Sequence, residues 1–474
     1  MSTTADAQPV DGPGTDQSWS LTAGLAGPAC SCRLAAPVTS SVRDTRLWHP
    51  FADMAAVRGA EVVIERGEGI WVFDTEGRRY LDGTAALWYS NVGHGRKEIA
   101  EAVAAQLSRL EAYSIFGDLA NPPALELADR LAGLAPMPEP RVFLVTGGGE
   151  AIETAVKLSR LYWHARGKPE RVHVVSRTHA YHGSYGFGTS LGGIEPNRAG
   201  FGPLLPSTTR VPHDSVEALE QALVELGPEN VAAFVFEPVI GAGGVHPPAP
   251  GYVEGVYEAC ASLGVLVVCD STICGFGRLG TWFGFERFGI EPDMVIFAKG
   301  VTSGYLPLGG VVVSGRVAEP FWSEPGRIAF RHGPTYSGHA TCCAAALANM
   351  DILEREGLIP RGRELEGDLY GALAPLAEHP LVAEVRGGVG LMAAVELDAG
   401  LLAADPTTPV ALYRAIRDTG GVIVRPLGRG VAFSPPLTIT CEEIGLLAQG
   451  ARAGLDRLLE TAPAAQEPAV AARA

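Results

Sequence analysis

A lysine and an aspartate stand where two apolar runs of this sequence end. Lys299 follows Met-Val-Ile-Phe-Ala, and Asp270 closes Val-Leu-Val-Val-Cys-Asp. Such runs are typical of parallel strands buried on both faces, whose carboxyl ends are where ligands bind. Lys299 is therefore either a surface residue that caps a strand or a desolvated amine that attacks carbonyls. Asp270 is either a helix cap or ion-pair partner, or a functional carboxylate.

A glycine-rich turn adds a third feature. Thr146-Gly147-Gly148-Gly149-Glu150 follows one predicted strand and precedes a predicted helix. Backbone N–H groups and the helix dipole there would face a phosphate, although such turns also occur for steric reasons. An amine, a carboxylate and a phosphate site are what pyridoxal phosphate chemistry requires. The lysine forms the imine, and the carboxylate keeps a proton on the pyridine nitrogen.

A second glycine-rich motif competes with this interpretation. Gly275-Phe-Gly-Arg-Leu-Gly280 matches the G-x-G-x-x-G pattern of dinucleotide-binding folds. However, four residues separate it from Asp270, and the segment that follows, 281–286, does not predict a helix. The sequence therefore disfavours a nicotinamide-dependent dehydrogenase.

Alternating strands and helices must position these groups. Between residues 141 and 314, short runs rich in Val, Ile and Phe alternate with segments of helical period. This pattern predicts an α/β fold with a mostly parallel sheet. The predicted strands are 141–146, 171–176, 231–237, 265–270, 294–298 and 309–314, and the clearest predicted helices are 150–166 and 251–263.

The flanking segments predict a smaller α+β domain built from both chain ends. Strand patterns occur at 61–64 and 69–74, and again at 384–397 and 421–435 after a predicted helix at 363–374. The predicted divisions are a disordered tail at 1–45, the first part of the small domain at 46–95, the large cofactor-binding domain at 96–345, the second part of the small domain at 346–460, and a disordered tail at 461–474.

Charge and composition exclude several classes of protein. The 474 residues include 53 acidic and 37 basic ones, a net charge of −16, which disfavours a nucleic-acid partner. No stretch approaches the ~18 apolar residues of a membrane span. The eight cysteines lack metal-ligand or disulfide-scaffold spacing, which indicates reduced thiols in a cytoplasmic protein without a metal site. Only Lys97, Lys157, Lys168 and Lys299 are lysines, and only Lys299 ends an apolar run.

Several longer motifs occur in order between residues 47 and 459. They are Leu-Trp-His-Pro-Phe (47–51), Leu-Trp-Tyr-Ser-Asn-Val-Gly-His-Gly (87–95), Ala-Tyr-His-Gly-Ser (180–184), Glu-Pro-Val-Ile-Gly-Ala-Gly-Gly-Val (237–245), Ala-Lys-Gly-Val-Thr-Ser-Gly-Tyr-Leu-Pro-Leu-Gly (298–309) and His-Gly-Pro-Thr-Tyr-Ser-Gly-His (332–339). In this order they resemble the class III (omega) aminotransferases, above all the omega-amino acid:pyruvate and amine:pyruvate transaminases. The resemblance implies the fold type I (aspartate aminotransferase-like) architecture of pyridoxal phosphate enzymes.

The resemblance also implies a role for each matching residue. Lys299 is similar to the Schiff-base lysine, Asp270 to the partner of the pyridinium nitrogen, and Thr335 to a residue that reaches the phosphate from the neighbouring subunit. The other residues implied at the cofactor are Gly147, Gly148, Gly149, Tyr181, His182, Glu237 and Thr272, with Tyr181 stacked on the ring. Those implied at the substrate are Phe51, Trp88, Phe116 and Arg425, the last similar to a mobile arginine that binds carboxylates. For Tyr181, Glu237 and the three other aromatic residues a purely structural role stays open.

Two segments depart from the family pattern. The family's Asp-Glu-Val is Asp270-Ser271-Thr272 here, which removes a carboxylate and adds a hydroxyl. Its Asn-Ser-Gly-Ser in the phosphate loop is Thr146-Gly147-Gly148-Gly149, so that phosphate binding depends more on backbone N–H groups. These departures keep open a different reaction on the same cofactor, as in decarboxylases, racemases or phospho-lyases.

The residues and the resemblance predict a cytoplasmic pyridoxal phosphate-dependent aminotransferase that moves an amino group from an amine or omega-amino acid to a keto acid such as pyruvate. Lys299 would hold the cofactor as a Schiff base and then act as general base and acid. The implied partners are these small molecules and further copies of the chain, in a homodimer with shared active sites or a tetramer of dimers. A non-catalytic descendant is disfavoured because Lys299, Asp270 and Arg425 are all present.

Overall fold

The computed structural model describes residues 45–326 and 328–461, and the chain divides into two compact units at Val62/Val63. The described part of the first unit contains the short helix α1 (Met54–Val57). Asp53 caps this helix by accepting a hydrogen bond from the Ala55 N–H at 3.0 Å. The tails predicted at 1–45 and 461–474 lie outside the described residues, apart from their residues 45 and 461.

Strands and helices alternate over most of the second unit. The strands are β1 (Ile64–Glu68), β2 (Trp71–Asp74), β3 (Arg79–Asp82), β4 (Arg141–Val145), β5 (His173–Arg177), β6 (Thr208–Val211), β7 (Val231–Phe236), β8 (Leu266–Asp270), β9 (Met294–Phe297), β10 (Gly309–Val313), β11 (Val382–Arg386), β12 (Ala393–Leu397), β13 (Val422–Ile423), β14 (Arg425–Leu427) and β15 (Gly430–Phe433). The helices are α2 (Ala85–Trp88), α3 (Lys97–Arg109), α4 (Pro122–Leu134), α5 (Gly148–Ala165), α6 (Gly186–Leu191), α7 (Val216–Leu226), α8 (Tyr252–Ser262), α9 (Gly315–Trp322), α10 (Ala340–Arg355), α11 (Arg361–Glu364), α12 (Glu366–Leu373), α13 (Ala399–Ala404), α14 (Thr408–Gly420) and α15 (Cys441–Thr461). Over the described ranges, no helix combines the length and apolar character needed to cross a bilayer.

The largest sheet formed by the described residues has seven strands in the order β4-β10-β9-β8-β7-β5-β6. Its pairs are parallel except for the two that β10 makes with β4 and β9. Alternate residues of β7 belong to different apolar clusters, Phe234 and Phe236 to one and Ala233 and Val235 to the other. Apolar core therefore covers both faces of the sheet, as the continuous apolar runs predict.

The six strands and two helices predicted in this region are confirmed, with ends displaced by a residue or two. The strand predicted at 171–176 begins at His173, and the helix predicted at 150–166 begins at Gly148. Strand β6 was not predicted because its sequence, Thr-Thr-Arg-Val, is mostly polar and lies at the edge of the sheet.

The flanking segments form two further sheets, each with four strands among the described residues. Their orders are β1-β2-β3-β13 and β11-β12-β15-β14. In the first, β13 pairs in parallel with β3, so strands from before and after the large sheet meet side by side. The helix predicted at 363–374 is confirmed as α12 (Glu366–Leu373), but it begins three residues late because the separate short helix α11 ends at Glu364. The division into a large and a small domain stays a prediction.

Candidate active site

A cavity of about 370 Å³ lies at the carboxyl ends of β8 and β9. Asp270 is the last residue of β8, and Lys299 follows the end of β9 by two residues. These strands are parallel neighbours, so both side chains reach the same edge of the sheet. Lys299, Asp270, Glu237 and the Gly147–Gly149 turn all line the cavity. The structure thus brings together the three features from which the sequence predicts chemistry.

The Lys299 amine lies at the cavity wall, deep among protein atoms. Burial lowers its pKa from 10.5 to about 8, and the charge of Arg425 contributes to the lowering, whereas Asp270 and Glu237 oppose it. At neutral pH such an amine has a useful neutral fraction, which is the nucleophilic and basic form. The Lys299 backbone has a φ of 48°, in the left-handed region that non-glycine residues rarely adopt.

Two hydrogen bonds hold the Asp270 carboxylate. His182 Nδ1 donates to Oδ2 at 2.9 Å, and the Thr272 backbone N–H donates to Oδ1 at 3.1 Å. Burial alone would raise the pKa of Asp270, but the hydrogen bonds and the neighbouring His182 hold that pKa below its ordinary value. The carboxylate is therefore ionised and presents a fixed negative charge to the cavity.

Glu237 binds the backbone of Tyr181, the residue before His182. Its two carboxylate oxygens accept hydrogen bonds from the backbone N–H groups of Tyr181 and Gly241, each at 3.0 Å. Burial raises the pKa of Glu237. Arg425, half-buried at the start of β14, acts electrostatically on both Tyr181 and Lys299. A guanidinium therefore lies within electrostatic range of the Lys299 amine.

The glycine turn opens helix α5 without a side-chain cap. The Thr146 N–H and hydroxyl both donate to Glu150 Oε2, at 2.8 and 2.6 Å, so this hydroxyl is already engaged. A Cβ on Gly148 would lie 3.0 Å from Thr272 Cγ2. The turn is therefore a narrow cradle in which main-chain N–H groups remain to bind an anion.

This donor set fits pyridoxal phosphate. Lys299 would supply an amine for its carbonyl, Asp270 an ionised carboxylate for its ring nitrogen, and the cradle an anion site for its phosphate. The cavity volume is within the range of small-molecule sites.

Four predicted residues of the second unit, Trp88, Phe116, Thr335 and Arg425, are not among those that line this cavity. Trp88 is buried in an apolar cluster with Ile273, which does line it. Phe116 and Thr335 are exposed, and Phe116 lies beside the segment that carries Thr335. Phe51 belongs to the first unit, where 64% of its surface is exposed. The substrate and cofactor roles of these residues stay predictions.

The cavity is also lined by residues that were not predicted from the sequence. The additional lining residues are Leu87, Gly183, Ser184, Tyr185, Ile273, Ala298, Thr302, Leu306, Pro307 and Leu308. Most of them lie close in sequence to a predicted site residue, as Gly183, Ser184 and Tyr185 follow His182. Proximity to a motif is the one sequence signal that could have found them.

Known proteins of similar sequence and structure show to which family this chain belongs. A family model for class-III aminotransferases matches residues 54–452. The chain is 38% identical to the putrescine–pyruvate aminotransferase of Pseudomonas aeruginosa, over 86% of this chain and 93% of that one.

Two solved structures extend the comparison. A thermostable (S)-enantioselective omega-transaminase from Thermomicrobium roseum matches with a TM-score of 0.83 and 41% identity, over 87% of this chain and 96% of that one. The PLP-bound form of an amine transaminase from an uncultivated Pseudomonas species matches with a TM-score of 0.84 and 37% identity, over 88% and 100%. The predicted fold class and aminotransferase activity are thereby confirmed. The chain belongs to the class III aminotransferases, which are pyridoxal phosphate enzymes.

Proposed function

We propose that this chain binds pyridoxal phosphate and transfers an amino group from a primary amine or omega-amino acid to a keto acid, with pyruvate as acceptor. One observation carries the proposal. A lysine amine with a pKa of about 8 and an ionised aspartate line the same cavity as an uncapped, glycine-rich helix start. The similarity to a putrescine–pyruvate aminotransferase supports the choice of substrates.

Each group has a distinct task in this proposal. Pyridoxal phosphate supplies, when bound, a carbonyl for the substrate amine and a ring that withdraws electrons. Asp270 would hold a protonated ring nitrogen, and the N–H groups of residues 147–149 would bind the phosphate. Lys299 Nζ would take the proton from the carbon that bears the donor's amino group. It would return a proton to the acceptor's carbon in the second half of the cycle.

Loss of the Lys299 amine tests this assignment. Lys299→Ala is expected to lower alanine formation from putrescine and pyruvate by at least about a thousandfold, because no other lysine lines the cavity. The visible absorbance of the protein with added pyridoxal phosphate is expected to change as well. Lys97→Ala, which removes an exposed lysine on α3, is the control and should leave both unchanged. Near-normal turnover by Lys299→Ala would refute the assignment.

Arg425 would recognise the acceptor's carboxylate, because a guanidinium binds a carboxylate through two hydrogen bonds. Arg425→Ala is expected to raise the KM for pyruvate about tenfold or more. The KM for putrescine, which has no carboxylate, should change less than threefold. Equal increases in both KM values, measured with the other substrate saturating, would remove Arg425 from this role.

A second candidate reaction on the same cofactor is favoured by one feature. Thr272 places its hydroxyl 3.1 Å from where a Cβ on Gly148 would lie, and the family pattern has valine at position 272. A decarboxylase, racemase or phospho-lyase would form no alanine from pyruvate. Mass spectrometry of the products of an amine and pyruvate therefore separates the two candidates.

The active form we propose is a cytoplasmic homodimer. Phe116 and Thr335 are exposed and do not line the cavity of their own chain, which suits a contribution to the site of a second copy. The six cysteines among the described residues are all free thiols, which suits a reducing compartment. Light scattering of the purified protein tests the dimer, and cell fractionation tests the location.

A further inference from the structure

The glycines of the Gly275–Gly280 motif contact the protein itself. A Cβ on Gly277 would lie 2.6 Å from Leu437 Cδ1, and a Cβ on Gly280 would lie 2.5 Å from Arg363 Cβ. Both glycines have positive φ values, 91° and 87°. Close packing against distant parts of the chain therefore explains this motif, and no nucleotide is needed.

Arg278, inside the same motif, is fully buried, and the hydrogen-bond partners of its guanidinium among the described residues are uncharged. Its Nη1 donates to the carbonyls of Leu391 and Pro435 at 2.9 and 2.6 Å, and its Nη2 donates to Asn91 Oδ1 at 3.0 Å. Burial lowers the pKa of this guanidinium to about 10. Burying an unpaired cation costs stability, so stability alone does not account for the arrangement.

Asn91 connects Arg278 to the turn that carries Lys299. Its Nδ2 donates to the Phe276 carbonyl at 2.8 Å. A Cβ on Gly300 would lie 2.6 Å from Asn91 Nδ2 and 2.8 Å from Phe276 Cβ. Asn91 and Phe276 therefore lie directly against the residue that follows Lys299.

The Lys299 turn has a backbone that needs such support. Lys299 and Ser303 have φ values of 48° and 49°, which residues other than glycine rarely adopt. Asn349, on α10, donates from Nδ2 to the carbonyls of Gly300 and Val301, both at 2.9 Å. A disfavoured conformation persists only where surrounding contacts impose it.

We propose that Arg278 is a positioning residue for Lys299: it fixes Asn91, and Asn91 with Phe276 holds Gly300 so that Lys299 keeps its left-handed backbone and points its amine into the cavity. The proposal rests on the proposed function, in which Lys299 is the reacting amine. It assigns a task to a motif whose glycine pattern matches that of dinucleotide-binding folds.

The test measures the Lys299 amine directly in the full-length protein freed of cofactor. Acetic anhydride labelling over a pH series, read by peptide mass spectrometry, gives a midpoint expected near 8 for the unmodified protein. Arg278→Met should raise this midpoint to about 9 or above, because a loosened turn lets water reach the amine. Arg278→Lys keeps the charge but loses the fork geometry and should give an intermediate value.

Arg171→Met is the matched control. Arg171 is also buried, and it donates only to carbonyls, those of Val231 and Gly264, each at 2.8 Å. Both methionine variants should lower the unfolding temperature, but only Arg278→Met should move the labelling midpoint. Equal midpoints for the two variants would overturn the proposal and leave Arg278 a structural residue.

Two further measurements keep the proposal testable. Asn91→Ala removes the link while leaving Arg278 in place, and it should shift the midpoint in the same direction even if Arg278→Met does not fold. An unchanged midpoint in Asn91→Ala overturns the proposal. With the cofactor bound, Arg278→Lys should lower kcat for the amine half-reaction about tenfold with KM within threefold. Labelling involves neither cofactor nor substrate, so it still reports on positioning if the proposed transamination is not observed.

Discussion

Two glycine-rich turns follow strands of the same sheet, but one lines a cavity and the other packs against the protein. The Gly147–Gly149 turn after β4 lines the cavity and opens helix α5. The Gly275–Gly280 turn after β8 packs against residues from distant parts of the chain and opens no helix. Gly148 and Gly277 each occupy a position where an added Cβ would meet another side chain. The presence of glycine alone does not show whether a ligand or the protein itself lies against the turn.

Backbone geometry separates the two turns. Gly147 has a φ of −179°, extended backbone that any residue can adopt, whereas Gly277 and Gly280 have clearly positive φ values. The packed turn therefore needs glycine for its own conformation as well as for its contacts. Substitutions in the two turns should consequently change different quantities, stability in one and ligand affinity in the other.

The largest expected effect is in the packed turn. Gly277→Ala should lower the free energy of unfolding by about 3 kcal/mol or more, because it combines a positive φ with a Cβ contact of 2.6 Å. Gly289→Ala is the control, since Gly289 also has a positive φ, 64°, but would place its Cβ in open space. That control should cost about 1 kcal/mol. Equal losses in urea unfolding would mean that packing is not what distinguishes this turn.

The second largest effect should be on the affinity of the cavity turn for pyridoxal phosphate. At a hundredfold excess over Kd, pyridoxal phosphate should stabilise the unmodified protein by about 2.7 kcal/mol. Gly148→Ala should weaken binding about tenfold and so remove about 1.4 kcal/mol of this gain, because its Cβ would meet Thr272 at 3.0 Å. Thermal unfolding with and without the cofactor measures the stability of the free protein and the stabilisation by pyridoxal phosphate. If Gly148→Ala greatly lowered the stability of the cofactor-free protein but left the stabilisation by the cofactor unchanged, this turn would be a packing element like the other.

The smallest effect should come from Gly147→Ala. Its extended backbone accepts alanine, and no atom lies within 4 Å of the added Cβ. Stability should change by less than about 0.5 kcal/mol and cofactor affinity by less than about threefold. Isothermal titration of pyridoxal phosphate measures the affinity. A tenfold loss would show that the phosphate approaches Gly147 more closely than the cradle at Gly148 indicates.

Local pattern accounts for the parts of the fold and site that the sequence predicts well. Strands β8 and β9 are buried throughout, so their apolar runs are unbroken, and Asp270 and Lys299 mark their ends. Strand β6 was missed because it lies at the edge of the sheet and pairs only with β5. An edge strand is less buried than a central one, so its sequence carries a weaker apolar pattern. The task of Arg278 could not be predicted, because its partners Leu391, Pro435 and Asn91 lie 113, 157 and 187 positions away.

The sequence by itself determined the family, six of the seven strands described in the large sheet, and the one lysine that ends an apolar strand. Tertiary structure alone decided that burial lowers the pKa of Lys299 to about 8 and that His182 keeps Asp270 ionised. It also decided which glycine turn stays open to a ligand. Strand pattern and motif order are local properties of the chain, whereas burial, charge state and free space depend on residues that only folding brings into contact.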